Sequence, residues 1–221
     1  MHRLKPPHIV VLSFLITILI GTALLWLPQS ASDGVSIGGV DAFFTATSAT
    51  CVTGLIVKDT GADFSRFGQM VILFLLQIGG LGIMTMSTFF AILLGRKLTI
   101  RENVVIKGAL DHHSVQNLKT LILYIFGITI AIEAIGATLL YHRFGSLYLS
   151  IFHAISAFCN AGFSLNSASF IQYRNDGFVN IVMASLIILG GLGFIVLIDI
   201  RKVVRWIFKR VFLRKEEDIK H

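Results

Sequence analysis

Charge is what this 221-residue chain has least of: Asp, Glu, Lys and Arg together make up 14% of it. Soluble domains usually carry about 25%, so a free-standing globular domain in water is excluded. Prolines number three, and only Pro28 interrupts an apolar run, so long helices can form. The two cysteines, Cys51 and Cys159, make neither a disulfide framework nor a metal-ligand spacing. They occupy equivalent places in a repeat and read as small residues beside a turn. The sequence has no phosphate-binding glycine loop, no nucleophile–base arrangement and no metal-ligand cluster. No enzyme activity and no bound cofactor are expected.

What remains is apolar. Hydrophobic residues make up 55% of the chain, and the mean hydropathy is +0.80. Several stretches reach the roughly 20 apolar residues needed to cross about 30 Å of hydrocarbon, so a multi-pass membrane protein is expected. Crossing helices are expected at 9–27, 68–94, 118–141 and 178–200. The first outruns the h-region of a signal peptide, about 7–15 residues, and more spans follow it, so it is read as retained. The net charge of +7 could suggest nucleic acid, but its placement argues for orientation instead. Only Lys58, Arg66, Arg143 and Arg174 fall in the second and fourth inter-helix segments; the other basic residues fall in alternate ones. By the positive-inside rule, both termini and the 96–117 linker are cytoplasmic. No nucleic-acid partner is expected. In the basic 201–221 tail, the amphipathic segment from Arg201 to Val211 is expected to lie along an anionic inner leaflet or to carry the crossing helix beyond it, and Lys215–His221 to be solvated.

The chain also repeats itself. With Gly54 aligned on Gly162, the pattern F-x-A-x-S-A-x-C-x-x-G occurs twice. It is carried by Phe44/Phe152, Ala46/Ala154, Ser48/Ser156, Ala49/Ala157, Cys51/Cys159 and Gly54/Gly162. Each copy is followed by G-G-x-G, at Gly79–Gly82 and Gly190–Gly193. The motif ends short apolar helices expected at 40–49 and 146–158. Ten to twelve helical residues span only about 15–18 Å, too little to cross, so each enters the membrane and returns through 50–55 or 159–163. Non-helical backbone at that depth is tolerated only where protein buries it or water lines it, which implies a pore or a binding cavity.

The expected fold is therefore an all-α membrane protein of two parallel repeats. Each has an outer helix, a re-entrant pore helix with a filter loop, and an inner helix, giving four transmembrane crossings. The first repeat takes 1–95, the linker 96–117, the second repeat 118–200 and the basic tail 201–221. Parallel repeats of this kind, unlike the inverted repeats of many transporters, are the construction of a cation channel. A dehydrating cation needs several oxygen ligands without full negative charge, as rings of backbone carbonyls supply. Glycine lets such a strand take conformations closed to other residues. Val52, Thr53, Gly54 and Leu55, with Asn160, Ala161, Gly162 and Phe163, are the expected ion-binding stretches. Ser48, Thr50, Cys51, Ser156 and Cys159 are expected to support them. One glycine per stretch, against two in a T-V-G-Y-G filter, predicts fewer sites and looser selectivity. The competing reading, external loops with ordinary turn glycines, has to explain why each follows a short apolar helix.

These residues resemble the membrane subunit of the Trk/Ktr/HKT superfamily of potassium transporters, most closely the bacterial Ktr type. Ala46–Leu55, Leu76–Ile83, Phe152–Phe158 and Asn160–Leu165 carry the resemblance, which covers nearly all of 9–200. It implies channel-like potassium uptake through filter carbonyls in a bacterial plasma membrane, with sodium as a possible coupling ion and a cytoplasmic nucleotide-binding subunit as regulator. It also implies that glycine at 54 favours potassium, and that Cys159 stands where many relatives have asparagine. Family members carry four such repeats in a chain about twice this size. Either a C-terminal half or a second copy supplies the others, or the half-length chain is a non-conducting assembly partner.

Four further expectations concern polar residues. Glu133, an acid within a crossing, is expected to pair with a neighbouring helix more than to attract cations. His153, at the position of Thr45, is expected to hydrogen-bond behind the filter. Gln77 is expected either to line the inner vestibule or to serve packing. Asp59, Asp63 and Asp176 lie in external loops, near the mouth or simply solvated.

Overall fold

The computed structural model describes residues 6–82 and 118–192. The expected linker 96–117, the inner ends of 68–94 and 178–200, and the basic tail lie outside these residues. Among the described residues six helices form: α1 (Pro6–Trp26), α2 (Gly39–Thr50), α3 (Arg66–Leu81), α4 (Leu118–Phe144), α5 (Leu147–Phe158) and α6 (Gly177–Gly191). Single 3-10 turns lie at Pro28–Ser30 and Ile171–Tyr173. Among the described residues there is no strand, only one isolated bridge between Ala31 and Phe64.

Local chemistry sets the boundaries. α1 closes at Trp26 just before Pro28, which opens the following 3-10 turn. α2 begins after Gly38, whose φ of +91° suits a residue without a Cβ. Ser65 caps α3 by accepting from Gly68 N–H, and Ser146 caps α5 at Leu149 N–H. Asp176 caps α6, accepting from Phe178 and Val179 at 3.0 and 3.2 Å, and also pairs with Arg143 at 3.4 Å. α3 ends at Leu81, where Gly82 takes a φ of +80°.

Packing follows the distribution of small residues. α1 lies on α2 and α3; α4 lies on α5 and α6; the two triplets meet through α3 and α5. Ala42, Ala46 and Ala49, all fully buried, form a small-residue stripe that lets α2 approach its neighbours. A Cβ on Gly21 of α1 would lie 3.3 Å from Ala46 Cβ. The core begun by Leu25, Ile72 and Leu76 runs on into Phe152, Cys159 and Phe163, so the second half is built onto the first. Val11, Ile16 and Ile20 of α1 are 68%, 48% and 57% exposed. A helix so apolar on its open side needs hydrocarbon around it. Among the described residues the regular structure is all helical, as in an all-α membrane protein. Among the described residues one helix, Ile122–Phe144, is long and apolar enough to cross a bilayer by itself; Val10–Trp26, Arg66–Leu81 and Gly177–Gly191 are apolar but shorter.

The segments beyond the helix ends are tied together by hydrogen bonds. Ser65 N–H donates to Ser30 O, and Ser32 N–H to Asp63 O, both at 2.9 Å. The Asp59 carboxylate accepts from Gly61 and Ala62 at 2.8 and 3.0 Å, and Asp63 accepts from Asp59 N–H at 2.7 Å. These acids hold loop backbone and are not merely solvated. A hydrogen bond from Ser167, followed by those backbone N–H groups, holds the Asp59 carboxyl below its usual range against the opposing effect of burial.

Glycines set the closest approaches. A Cβ on Gly79 would run into the Thr50 carbonyl, and one on Gly190 into the Phe158 carbonyl; Thr50 and Phe158 are the last residues of the two short helices. Backbone atoms cannot swing aside as a side chain can. Gly190→Ala is expected to lower the thermal midpoint in detergent by the equivalent of about 1–3 kcal/mol. Gly127→Ala, with nothing within 4 Å, should stay within about 1 kcal/mol of the parent. Equal shifts in the two variants would disprove the close-approach account.

Candidate functional site

The C-terminal ends of α2 and α5 unwind in the same way. Cys51 N–H donates to Thr47 O at 2.8 Å, Val52 N–H to Ala49 O at 3.2 Å, and Thr53 N–H to Ser48 O at 2.9 Å. The second stretch pairs Cys159 with Ile155 at 2.9 Å, Asn160 with Ala157 at 3.0 Å, and Ala161 with Ser156 at 2.8 Å. Each bond has its counterpart 108 residues away. The backbone follows suit, with φ of +55° and +80° at Val52 and Gly54, and +58° and +73° at Asn160 and Gly162. Ser48 Oγ donates to Leu55 O at 2.6 Å, and Ser156 Oγ to Phe163 O at 2.7 Å. Each serine thus ties the end of its stretch back to its own helix.

The two stretches abut. A Cβ on Gly54 would lie 2.7 Å from Ala161 O and 3.4 Å from Gly162 Cα. Glycine is needed at 54 both for its positive φ and for that approach. Among the described residues, the carbonyls of Val52, Thr53, Gly54, Asn160, Ala161 and Gly162 accept no backbone hydrogen bond. Main-chain oxygens without a backbone donor among the described residues are unusual in a folded protein. Among the described residues no group of three or more His, Cys, Asp and Glu could hold a metal; the oxygen atoms at the site include these main-chain carbonyls.

The left-handed positions are held from behind. For valine, branched at Cβ, a φ of +55° is an outlier, and its side chain packs where a Cβ on Gly79 would come within 2.8 Å of Cγ2. Asparagine tolerates this region. With its amide oriented to match donors and acceptors, Asn160 donates to Ile187 O at 3.3 Å and accepts from Gly191 N–H at 3.2 Å. Thr50 is fully buried, and its hydroxyl has no hydrogen-bond partner among the described residues. Of the expected supports, Cys159 is buried and Cys51 exposed.

Tertiary structure adds a polar chain that sequence spacing does not reveal. Gln77 Nε2 of α3 donates to both Glu133 oxygens of α4, at 3.0 and 3.3 Å. Gln77 Oε1 faces the Cys159 thiol at 3.8 Å. Glu133 therefore pairs with a neighbouring helix, and Gln77 joins it to the foot of the second stretch. His153, fully buried, bonds Leu149 O through Nδ1 at 2.8 Å and meets Ser164 Oγ through Nε2 at 3.0 Å. Leu165 N–H also points to Nε2, at 3.4 Å. These bonds fit the neutral tautomer with its proton on Nδ1. They anchor the chain where it leaves the second stretch.

The family model described as TrkH, cation transport protein, matches residues 5–219. The chain is 44% identical over 207 residues to Ktr system potassium uptake protein B of Bacillus subtilis (strain 168), covering 90% of this chain and 46% of that protein. It is 42% identical over 201 residues to the protein of the same name from Vibrio alginolyticus, covering 88% and 44%. It is 40% identical over 205 residues to the potassium/sodium uptake protein NtpJ of Enterococcus hirae, covering 90% and 46%. The chain spans about half the length of these curated relatives.

Left-handed backbone costs a β-branched residue about 1–3 kcal/mol. Val52→Asn, which copies the residue found at 160, should melt no lower than the parent in detergent; a drop of more than about 5 °C would show that the valine contact on Gly79 outweighs the strain. Ser156→Ala removes one hydrogen bond, worth about 1 kcal/mol. Amide exchange at 161–163 should then quicken roughly five-fold, with the interior of α5 unchanged, and an unchanged rate at 161–163 would refute the tether.

Proposed function

From the premise that this chain belongs to the TrkH cation transport protein family, as a Trk/Ktr-type pore subunit, we propose that it forms half of a pore conducting potassium across a bacterial plasma membrane. One observation carries the reading: two stretches with the same unusual backbone abut at their glycines and present carbonyls that, among the described residues, have no backbone donor. A potassium ion sheds water most readily where several such oxygens replace it without binding too tightly to leave. Val52, Thr53, Gly54, Asn160, Ala161 and Gly162 supply these oxygens; Leu55 and Phe163 close the two stretches, tied back by Ser48 and Ser156, and Cys159 supports the second. With one glycine in each stretch, the pore forms fewer ordered sites than a filter with two. The relatives named above are potassium or potassium/sodium uptake proteins, which supports a monovalent cation as cargo and potassium as the favoured one.

In this reading the chain crosses four times, as two parallel repeats around an axis along the membrane normal, with both termini in the cytoplasm. The placement of Lys and Arg supports that orientation. The membrane potential drives uptake, sodium acts as a coupling ion, and a cytoplasmic nucleotide-binding subunit regulates conduction. Further pore repeats, from a second copy or a C-terminal half, complete the ring.

The second reading is a membrane protein that does not conduct and acts only as an assembly partner. Growth of a potassium-uptake-deficient bacterium at low potassium separates the two. Rescue by this chain is expected, and Gly54→Ser, which puts a side chain against Ala161 O, should abolish the rescue or admit sodium. If the chain reaches the membrane but gives no rescue, with or without a regulatory subunit supplied, the second reading replaces the first.

A further inference from the structure

One turn of α3 touches both stretches. A Cβ on Gly79 would run into the Thr50 carbonyl and come within 2.8 Å of Val52 Cγ2, and one on Gly80 would lie 2.5 Å from the Cys159 sulfur. Gln77, three residues before Gly80, stands on the same side of the helix, and its Oε1 accepts from the Cys159 thiol at 3.8 Å. Cys159 caps α5 and leads directly into Asn160, whose φ is +58°. The foot of the second stretch is therefore seated on Gly80 and tied to the amide of Gln77. Glu133 sets the orientation of that amide. A carboxylate only accepts hydrogen bonds. Gln77 Nε2 donates to both Glu133 oxygens, at 3.0 and 3.3 Å, so the amide nitrogen is committed to α4 and the amide oxygen is turned toward Cys159.

The repeated unit does not call for a polar pair at these places. A Cβ on Gly21 would lie 2.8 Å from Leu75 Cδ1, and one on Gly136 would lie 2.7 Å from Leu186 Cδ2. Leu75 and Leu186 are themselves equivalent when Gly79 is aligned with Gly190, so Gly21 corresponds to Gly136 and Ile18 to Glu133. The same alignment of the inner helices sets Ile188 against Gln77. Isoleucine thus stands at both equivalent positions. Glu133 is 7% exposed, and its partner is a neutral amide. A carboxyl group so placed inside a crossing is costly and marks a functional position. What this one does within the fold is to decide which end of the Gln77 amide the thiol meets.

We infer that Glu133 is a positioning residue for ion selectivity: by fixing the Gln77 amide it holds Cys159, and so limits how far the carbonyls of Asn160, Ala161 and Gly162 can move inward. Oxygens free to close in suit the smaller sodium ion as well as potassium. The role in selectivity rests on the pore reading; the positioning of the second stretch does not.

The test uses the whole chain. In a Cys51→Ser background Cys159 is the sole thiol, and its S–H stretching band in the infrared reports whether it donates a hydrogen bond. Glu133→Leu should shift that band to the position of a free thiol and quicken amide exchange at 160–162 roughly two- to five-fold, the loss of one weak hydrogen bond. Its thermal midpoint in detergent should stay at or above that of the background, because an apolar side chain replaces a buried carboxylate. Glu133→Gln keeps an acceptor for Gln77 Nε2 and should retain both the band and the exchange. With both native cysteines in place, rubidium uptake by a potassium-uptake-deficient bacterium should become several-fold more sensitive to competing sodium in Glu133→Leu, and Glu133→Gln should restore the parent's tolerance. Gln77→Leu removes the acceptor itself; it supplies the free-thiol band and takes the place of Glu133→Leu if that variant does not fold. An unshifted band in Glu133→Leu, or exchange that quickens through the interior of α5 as well, overturns the positioning. A shifted band with unchanged sodium sensitivity overturns the role in selectivity. If the parent takes up no rubidium, the pore reading falls and the role in selectivity with it, while the band and the exchange still decide the positioning.

Discussion

A main-chain carbonyl at membrane depth must have a partner, because hydrocarbon offers none. The helices meet this requirement within themselves; among the described residues the carbonyls of Val52–Gly54 and Asn160–Gly162 find no backbone donor. Their oxygens are left without backbone donors while the chain around them is heavily constrained. Once a backbone is held in that condition, a partly dehydrated cation is a chemically suitable partner, and the remaining features of the fold can be understood as the means of holding it there.

The constraints act at short range. A serine two residues before each helix end binds the last carbonyl of its stretch, so neither stretch can straighten without losing that bond. Glycines on α3 and α6 let those helices come down onto the carbonyls that end the short helices, with no side chain between. Val52 is held in a conformation it disfavours by its seat on Gly79, whereas Asn160 reaches the same conformation with a side chain that favours it and that also bonds to α6. The two stretches thus share one backbone shape reached by different means. Gly54 is a position where that shape brings the two stretches into contact.

The halves are not equally supported. Behind the second stretch stand a neutral histidine from its own half and the chain from Glu133 through Gln77 to Cys159, which draws on both halves. The first stretch has none of these on its open side. A carboxylate buried among helices is costly, and a Gln amide that gives its N–H groups to that carboxylate and its oxygen to a thiol is an economical way of satisfying three buried groups. Its position between the halves makes it part of their interface more than part of either stretch.

Much of this was legible in the sequence. Apolar runs, the stop at Pro28, two helices too short to cross and a motif repeated with its glycine aligned all follow from local rules of length, periodicity and backbone freedom. The residues proposed to hold the ion were found that way, because a residue that must adopt a positive φ has to be glycine or pay for it. Other features could not be read from one dimension. The alanine stripe of α2 looks like ordinary apolar composition until α1 lies on it. The acids at 59, 63 and 176 read as solvated charge until their loops close around backbone N–H groups. The pairing of Glu133 with Gln77, 56 residues away, and the contrast between a covered Cys159 and an open Cys51 depend on which helix lies beside which. Sequence alone determined where the backbone must break from the helix, since that is a property of the residues at the break. Tertiary structure alone decided which breaks meet and which surfaces stay bare, since close contact between distant segments depends on the packing of every element that lies between them.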